Sequence, residues 1–307
     1  MALTLLEAAK LMDPASSVFV EQYANSQALL QLLPFRDVPS GALPYNQEHI
    51  LPGIGFRGIN EAFSESTGII NPQVEVCKIA GGDLDVDKYL IDTQGDQVRA
   101  MHEMMKVKSL GHAWVRTFFK GNSLTDPRVF DGMQVRVTGT QLVSNAAAGA
   151  ALSLAKLDEA IDLVDGNNKV MFMNRTMRRR ISAAAKNTSV SGYLVYERDA
   201  MGFQVPFYND IPIYTVDWDE QDVQILDFSE TSPDGSSSTA CTSIYIANIG
   251  DMGVTGIQTA PPSVRDLGEL QTLPVFRTRI EWASSFAIMS GRAVARVAGI
   301  TNNVVVA

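Results

Sequence analysis

Cysteine, histidine and tryptophan are scarce in this chain: two, three and three residues among 307. Cys77 and Cys241 stand alone, without CxxC spacing, so neither a disulfide framework nor a cysteine-rich zinc site is expected, and a reduced, intracellular setting is the simplest reading. The histidines are His49, His102 and His112. His102-Glu103 opens like the zinc motif H-E-x-x-H, but Lys106 stands where the second histidine must be. No apolar run approaches the ~18 residues that read as a membrane span. The N-terminal MALTLLEAAKLMDP has no basic segment of the kind that opens a secretory signal.

Catalytic signatures are missing too. Neither G-x-S-x-G nor G-x-x-x-x-G-K-[ST] occurs. Ser153-Leu-Ala-Lys156 matches S-x-x-K, yet its usual S-D-N and K-T-G companions are absent, and a helix N-cap accounts for Ser153. Gly53-Ile54-Gly55-Phe56-Arg57-Gly58 matches G-x-G-x-x-G. The dinucleotide fingerprint requires a hydrophobic strand before it and a helix after it; here Pro52 and the polar NQEH precede, and INEAFSESTG is a poor helix. Asp83, Asp85 and Asp87 alternate like the start of a calcium loop but lack its glycine and terminal glutamate, so a solvated strand or linker is expected.

Positive charge is in deficit: 25 Lys and Arg against 34 Asp and Glu, a net charge of −9. This argues against a surface that grips nucleic acid through a basic stripe, although not against a container around it. Arg178-Arg179-Arg180 is the only basic run, read as a solvated helix face or interface ion pairs in preference to a phosphate contact. With 46% hydrophobic and 19% charged residues, the chain can build one large core or two smaller ones.

What is present centres on Gly95 to Val137. From Asp96 to Phe119 there is no proline and a single glycine, Gly111; Val98, Met101, Met105, Val115 and Phe119 recur near helical spacing. The pattern predicts one helix over about 96–119, ended at Lys120-Gly121 with the glycine as a left-handed cap. A turn at Thr125-Asp126-Pro127 and a strand at MQVRV should follow. Upstream, residues 1–33 read as helix broken at Asp13-Pro14, with Leu5, Leu6, Ala9 and Met12 on one face. Residues 42–82 read as two strand-like pieces around a glycine-rich polar middle, too long and too polar to fold on its own. Downstream, a helix at LAKLDEAIDLV, a strand at KVMFMN and a helix capped by Asn174 over RTMRRRISAAA are expected. Strands should follow at GYLVYER, IPIYTVD, VQILDF, SIYIANIG and VTGIQT, with a polar exposed loop at 231–239 and two alternating strands from Leu273 onward.

A long helix followed by a glycine turn and DPRVFDGM, the extended LPGIGFRGINEAFSESTG, and the order LDEAIDLV–MFMN–TMRRRISAAA together resemble the phage major capsid proteins of the HK97 type. The resemblance covers nearly the whole chain, by ordered segments more than by an invariant motif. It implies an α+β fold: an N-terminal arm (1–41), an extended E-loop (42–82), a P-domain with its spine helix (83–165), an A-domain (166–268) and a closing P-domain hairpin (269–307). It implies a structural protein, not an enzyme, without catalytic residue, metal or cofactor. Such a chain assembles with copies of itself, through hexamers and pentamers, into an icosahedral virion shell around double-stranded DNA. Assembly would take place in the host bacterial cytoplasm without a membrane, with a portal protein and separate scaffolding or decoration proteins as further partners. Intersubunit contacts are expected at Phe56, Arg57, Asn60 and Glu61 of the E-loop and at Leu5 and Leu6 of the arm. Covalent cross-linking in the family needs an E-loop lysine, and none lies between Pro44 and Asn71, so a non-covalent shell is expected. Two alternatives stay open: an encapsulin-like compartment and a soluble α/β enzyme with an unrecognised site.

Overall fold

The computed structural model describes residues 28–184, 194–198, 204–236 and 240–306; the expected arm, with Leu5 and Leu6, lies outside them as far as residue 27, and its end is there as the helix Ala28–Leu32. The predicted long helix is there, Gln97–Lys120, 24 residues and about 36 Å in length. Its two halves meet different surroundings. Met101, Met104 and Met105 are exposed, whereas Val107, Leu110, Trp114, Val115, Phe118 and Phe119 are buried. The buried end is thus the anchor, and Trp114 is its centre. Its ring lies 5.4–5.9 Å from those of Phe35, Phe118, Phe130 and Trp282, and its Nε1 donates to Ser284 Oγ at 3.0 Å. An aromatic cluster of this kind gains from both area and ring geometry.

Two sheets contribute to that core, and a third, two-stranded one stands outside it. Strands β1 (Phe35–Asp37), β4 (Lys78–Asp87), β11 (Val254–Gln258), β12 (Ser263–Glu269) and β13 (Val275–Ile288) form one. In it β13 is central: β4 pairs along one side over residues 275–284, while β12 and then β11 share the other side. A second sheet runs β5 (Leu142–Ser144), β14 (Val294–Thr301), β10 (Cys241–Asn248), β6 (Lys169–Met173), β9 (Ile211–Thr215), β8 (Gln204–Tyr208) and β7 (Leu194–Arg198). Helices Leu154–Asp162 and Arg175–Ala184 cover it through Leu157, Met177 and Ile181, packed with Met171, Ile244 and Val297. The third sheet is a hairpin of β2 (Ala42–Ile50) and β3 (Ile69–Val76). Strand β3 runs on into β4, so the hairpin is rooted in the first sheet.

Local signals explain several joints. Asn174 Oδ1 accepts from Met177 N at 2.6 Å, the predicted cap. Asn209 and Asp210, at φ 47° and 61°, make the tight turn between β8 and β9, where both central residues need positive φ.

Other expectations are corrected. The two terminal strands do not form a hairpin: β13 joins the first sheet and β14 the second. Ser290-Gly291 marks a crossing between sheets, and alternation alone cannot distinguish the two cases. MQVRV is not a strand; Met133–Arg136 is a single helical turn, with the Val137 N–H donating to the Met133 carbonyl. VQILDF forms no strand beyond a bridge from Gln224 to Trp218, although Ile225 and Leu226 are buried as strand residues would be. Ser153 precedes its helix without a side-chain cap bond; its N–H donates instead to Asn145 Oδ1. Gly121 is not a left-handed cap, having φ −57° and ψ 140°. It is glycine for want of space, since a Cβ there would sit 2.3 Å from Phe130 O and 2.5 Å from Thr117 O.

Candidate assembly surface

The hairpin strands β2 and β3 are joined by residues 51–68, which carry large apolar side chains but no core. Phe56 is 103% exposed, Ile59 94% and Ile54 92%, with Leu51 and Phe63 also open to solvent. A segment that keeps such side chains uncovered has no burial of its own to hold it and presents an interaction surface.

Local bonds nonetheless shape its end. Arg57 Nη1 donates to Glu61 O at 3.2 Å, and the guanidinium stands 5.1 Å from the Phe63 ring centroid. Glu61 Oε2 accepts from Gly58 N at 2.8 Å, and Asn60 supplies the positive φ of the turn, 67°. Gly53 N donates to Ser66 Oγ at 2.7 Å, tying the two legs together. The structure therefore brings Phe56, Arg57, Asn60 and Glu61 into one turn. Sequence reasoning named these four but passed over Ile54, Ile59 and Phe63, whose apolar character in a glycine-rich stretch was the available signal.

The root of the hairpin is fastened differently. Glu75 on β3 meets Arg136 in a two-pronged pair, 2.5 Å to Nη1 and 2.7 Å to Nη2. Arg136 also lies 4.3 Å over the Phe286 ring. Gln47 Nε2 donates to Ile288 O at 2.7 Å. Tyr45 is pushed up to about 12 by burial and by the Glu75 carboxylate, so it stays a neutral phenol beside the pair. None of these root contacts was legible beforehand: Arg136 was assigned to a strand, and Gln47 meets Ile288 from 241 residues away.

The residues with a possible catalytic or metal role are employed elsewhere. Asp83 and Asp85 on β4 face Arg279 and Arg277 on β13, each guanidinium holding its carboxyl below the usual range by hydrogen bonding. Asp87 caps helix Lys88–Gln94 by accepting from Tyr89 N. His112 Nδ1 donates to Trp218 O at 2.5 Å. Lys156 pairs with Glu159 one turn on, and the G-x-G-x-x-G segment lies on the exposed hairpin tip with no helix after it. Of the basic run, Arg178 and Arg179 are exposed, while Arg180 donates to Asn302. Cys77 and Cys241 are both free thiols. Among the described residues no group of three or more His, Cys, Asp or Glu side chains could hold a metal ion.

No family model matches the chain, and no curated protein matches it in sequence. Solved structures do resemble it. The holo-SrpI encapsulin complex of Synechococcus elongatus PCC 7942 superposes with TM-score 0.64 at 17% identity, over 100% of this chain and 99% of that one. The capsid of a native GTA particle gives 0.62 at 14% identity, over 90% and 91%. Mycobacterium phage Bobi gives 0.59 at 10% identity, over 92% and 91%. At such identities the likeness concerns the fold, and the fold is that of HK97-type shell proteins, α+β as expected.

Proposed function

We propose that this chain is a shell subunit, a major capsid protein of the tailed-phage type that closes into an icosahedral particle around double-stranded DNA. The observation that carries the reading is the uncovered apolar turn at the end of the β2–β3 hairpin, on a fold shared with shell proteins over nine-tenths or more of its length. A hairpin that leaves its own subunit makes a head-to-tail contact, and head-to-tail contacts generate rings where the rotation between neighbours closes. Hexameric and pentameric rings then join, and many modest contacts acting together hold the shell. The role is structural, with no cofactor and no catalytic residue. A portal protein and separate scaffolding or decoration proteins are the further partners of this reading, and the particle is a virion built in the bacterial cytoplasm. With no lysine on the hairpin, cohesion is non-covalent.

A second reading has a specific observation behind it. The encapsulin likeness runs end to end, where the GTA and phage likenesses stop near nine-tenths. An encapsulin-like compartment would share the shell and differ in its contents. Purified particles, treated with nuclease outside and then opened, distinguish the two. Protected double-stranded DNA supports the capsid; a stoichiometric protein cargo without DNA supports the compartment. A chain that stays a small soluble species at all concentrations, alone or co-expressed with its genomic neighbours, overturns both.

A further inference from the structure

The single helical turn Met133–Arg136, with the two residues that lead into it, is gripped from three sides. The end of the long helix holds it where Gly132 N donates to Gly121 O at 2.8 Å and Asp131 Oδ1 accepts from Ser123 N at 2.7 Å. The hairpin holds it through Arg136, whose Nε donates to Asp131 O at 2.7 Å, fixing the plane of the guanidinium, while both terminal nitrogens reach Glu75. The third grip comes from the second sheet. Arg296 on β14 sends Nη1 to Gln134 O at 3.2 Å, partnering one of the last carbonyls of the turn, which have no partner within it.

Arg296 is itself aimed. Its Nη2 donates to Glu230 Oε2 at 2.8 Å and its Nε to Ser243 Oγ at 2.9 Å, and the guanidinium carbon stands 5.8 Å from the Tyr245 ring centroid. Glu230 is 5% exposed, accepts from Ser243 Oγ, and exchanges two backbone bonds with Cys241, at 2.9 and 3.1 Å. Contacts therefore run without a break from Glu75 on β3, through Arg136, the turn and Arg296, to Glu230. A buried ion pair is seldom a net gain over apolar packing of the same volume. What this one supplies is a fixed direction for Arg296.

We propose that Glu230 and Arg296 are positioning residues for the hairpin: through the Met133–Arg136 turn they set the angle at which β2 and β3 leave the body of the subunit. The leverage is large. Strand β3 has eight residues, a length of roughly 25 Å, so a rotation of ~5° at its root carries the apolar turn about 2 Å. The use of that angle in assembly rests on the shell reading; the coupling itself is a property of the single chain.

Backbone amide exchange of the full chain, read by mass spectrometry, tests the coupling whether or not the chain assembles. Glu230→Gln keeps the shape and removes the charge, and Ser243→Ala removes one bond to Arg296 and one to Glu230. Either should speed exchange at the root of β3, residues 73–77, about ten-fold, the scale of one bond to a charged group lost from a local opening. Tyr208→Phe, which takes the Tyr208–Asp158 bond from the same sheet as Arg296, should leave the root as in the parent. With Arg136→Lys already in place, Glu230→Gln should add no further rise, because the chain of contacts is then cut at its other end. Root exchange equal to the parent in Glu230→Gln, an equal rise in Tyr208→Phe, or a full further rise on the Arg136→Lys background overturns the coupling. If Glu230→Gln does not fold, Ser243→Ala is judged by the same outcomes. Failure of the parent chain to form particles overturns the shell reading, and the exchange result then decides the coupling alone.

Discussion

Arg136 grips Glu75 with both terminal nitrogens, at 2.5 and 2.7 Å, and so ties the single helical turn after the long helix to the root of the hairpin. Each side chain is about one-seventh exposed, enough shelter for the pair to matter and enough water to limit its desolvation cost. Replacing Arg136 by Ala leaves a charged, largely sheltered carboxylate without its partner and removes the guanidinium from the Phe286 face. A loss of about 2–3 kcal/mol is expected in urea unfolding of the subunit. Lysine at the same position should recover less than half, having no planar fork. Full recovery by lysine would show that charge alone, not the two-pronged geometry, holds the root.

Gly121 should tolerate no side chain. Its backbone dihedrals suit any residue, so the cost of Gly121→Ala is purely steric: the added methyl meets two carbonyl oxygens, Phe130 O and Thr117 O. Separating the end of the long helix from the 130–132 segment should lower stability by about 1–3 kcal/mol or more. A thermal midpoint unchanged in the alanine variant would refute this account of why glycine is there.

Acid should loosen the subunit in a defined range. Asp131 is buried in part, which raises its pKa, yet hydrogen bonds from Ser123 together with the charge of Arg136 outweigh this and hold it below the ordinary value. Asp83, Asp85 and Asp266 are lowered by bonds to Arg279, Arg277 and Arg99. For a carboxyl depressed in the folded state, the stabilisation is present above the unfolded pKa, about 3.9, and disappears as pH falls through the folded value. Unfolding midpoints should be level in this respect above pH ~5 and fall steeply below ~4. Asp131→Asn, which keeps an oxygen for Ser123 N, should make the acid limb shallower; an identical limb would exclude Asp131 as a contributor.

Particles boiled in detergent should run as monomer. The covalent cross-linking implied by the HK97 resemblance requires a hairpin lysine, and residues 45–70 contain none. A ladder of covalent multimers on a denaturing gel would contradict this outright.

The parts legible in the sequence are those fixed by neighbours along the chain. Val98 to Phe119 declared the long helix by spacing, and Asn174 declared a cap. The hairpin was visible as a stretch too polar to pack against itself, and its turn residues were named for that reason. What stayed hidden depends on partners far away in sequence. Nothing local tells β13 to pair with β4, some 190 residues earlier, and β14 to cross to β10 and β5. Met133–Arg136 alternates as a strand would, yet it forms a helical turn; Met133 and Val137 are both buried, and a spacing of four puts them on one face in either conformation. The cavity between β4 and the long helix was illegible for a further reason: small residues line it, Ala80, Gly82, Ser109 and Ala113, and small residues leave little mark on a hydrophobic pattern.

The placement of β13 and β14 has a consequence for timing during synthesis. Both strands lie in the interior of their sheets, one flanked by β4, β11 and β12, the other by β5 and β10. Until residues 275–301 have left the ribosome, each sheet has a gap in its middle, and the Trp114 anchor lacks Trp282 and Phe286 beside it. The hairpin, with its apolar turn, has emerged some two hundred residues sooner. The apolar turn of the hairpin is therefore exposed on the nascent chain long before either large sheet is complete.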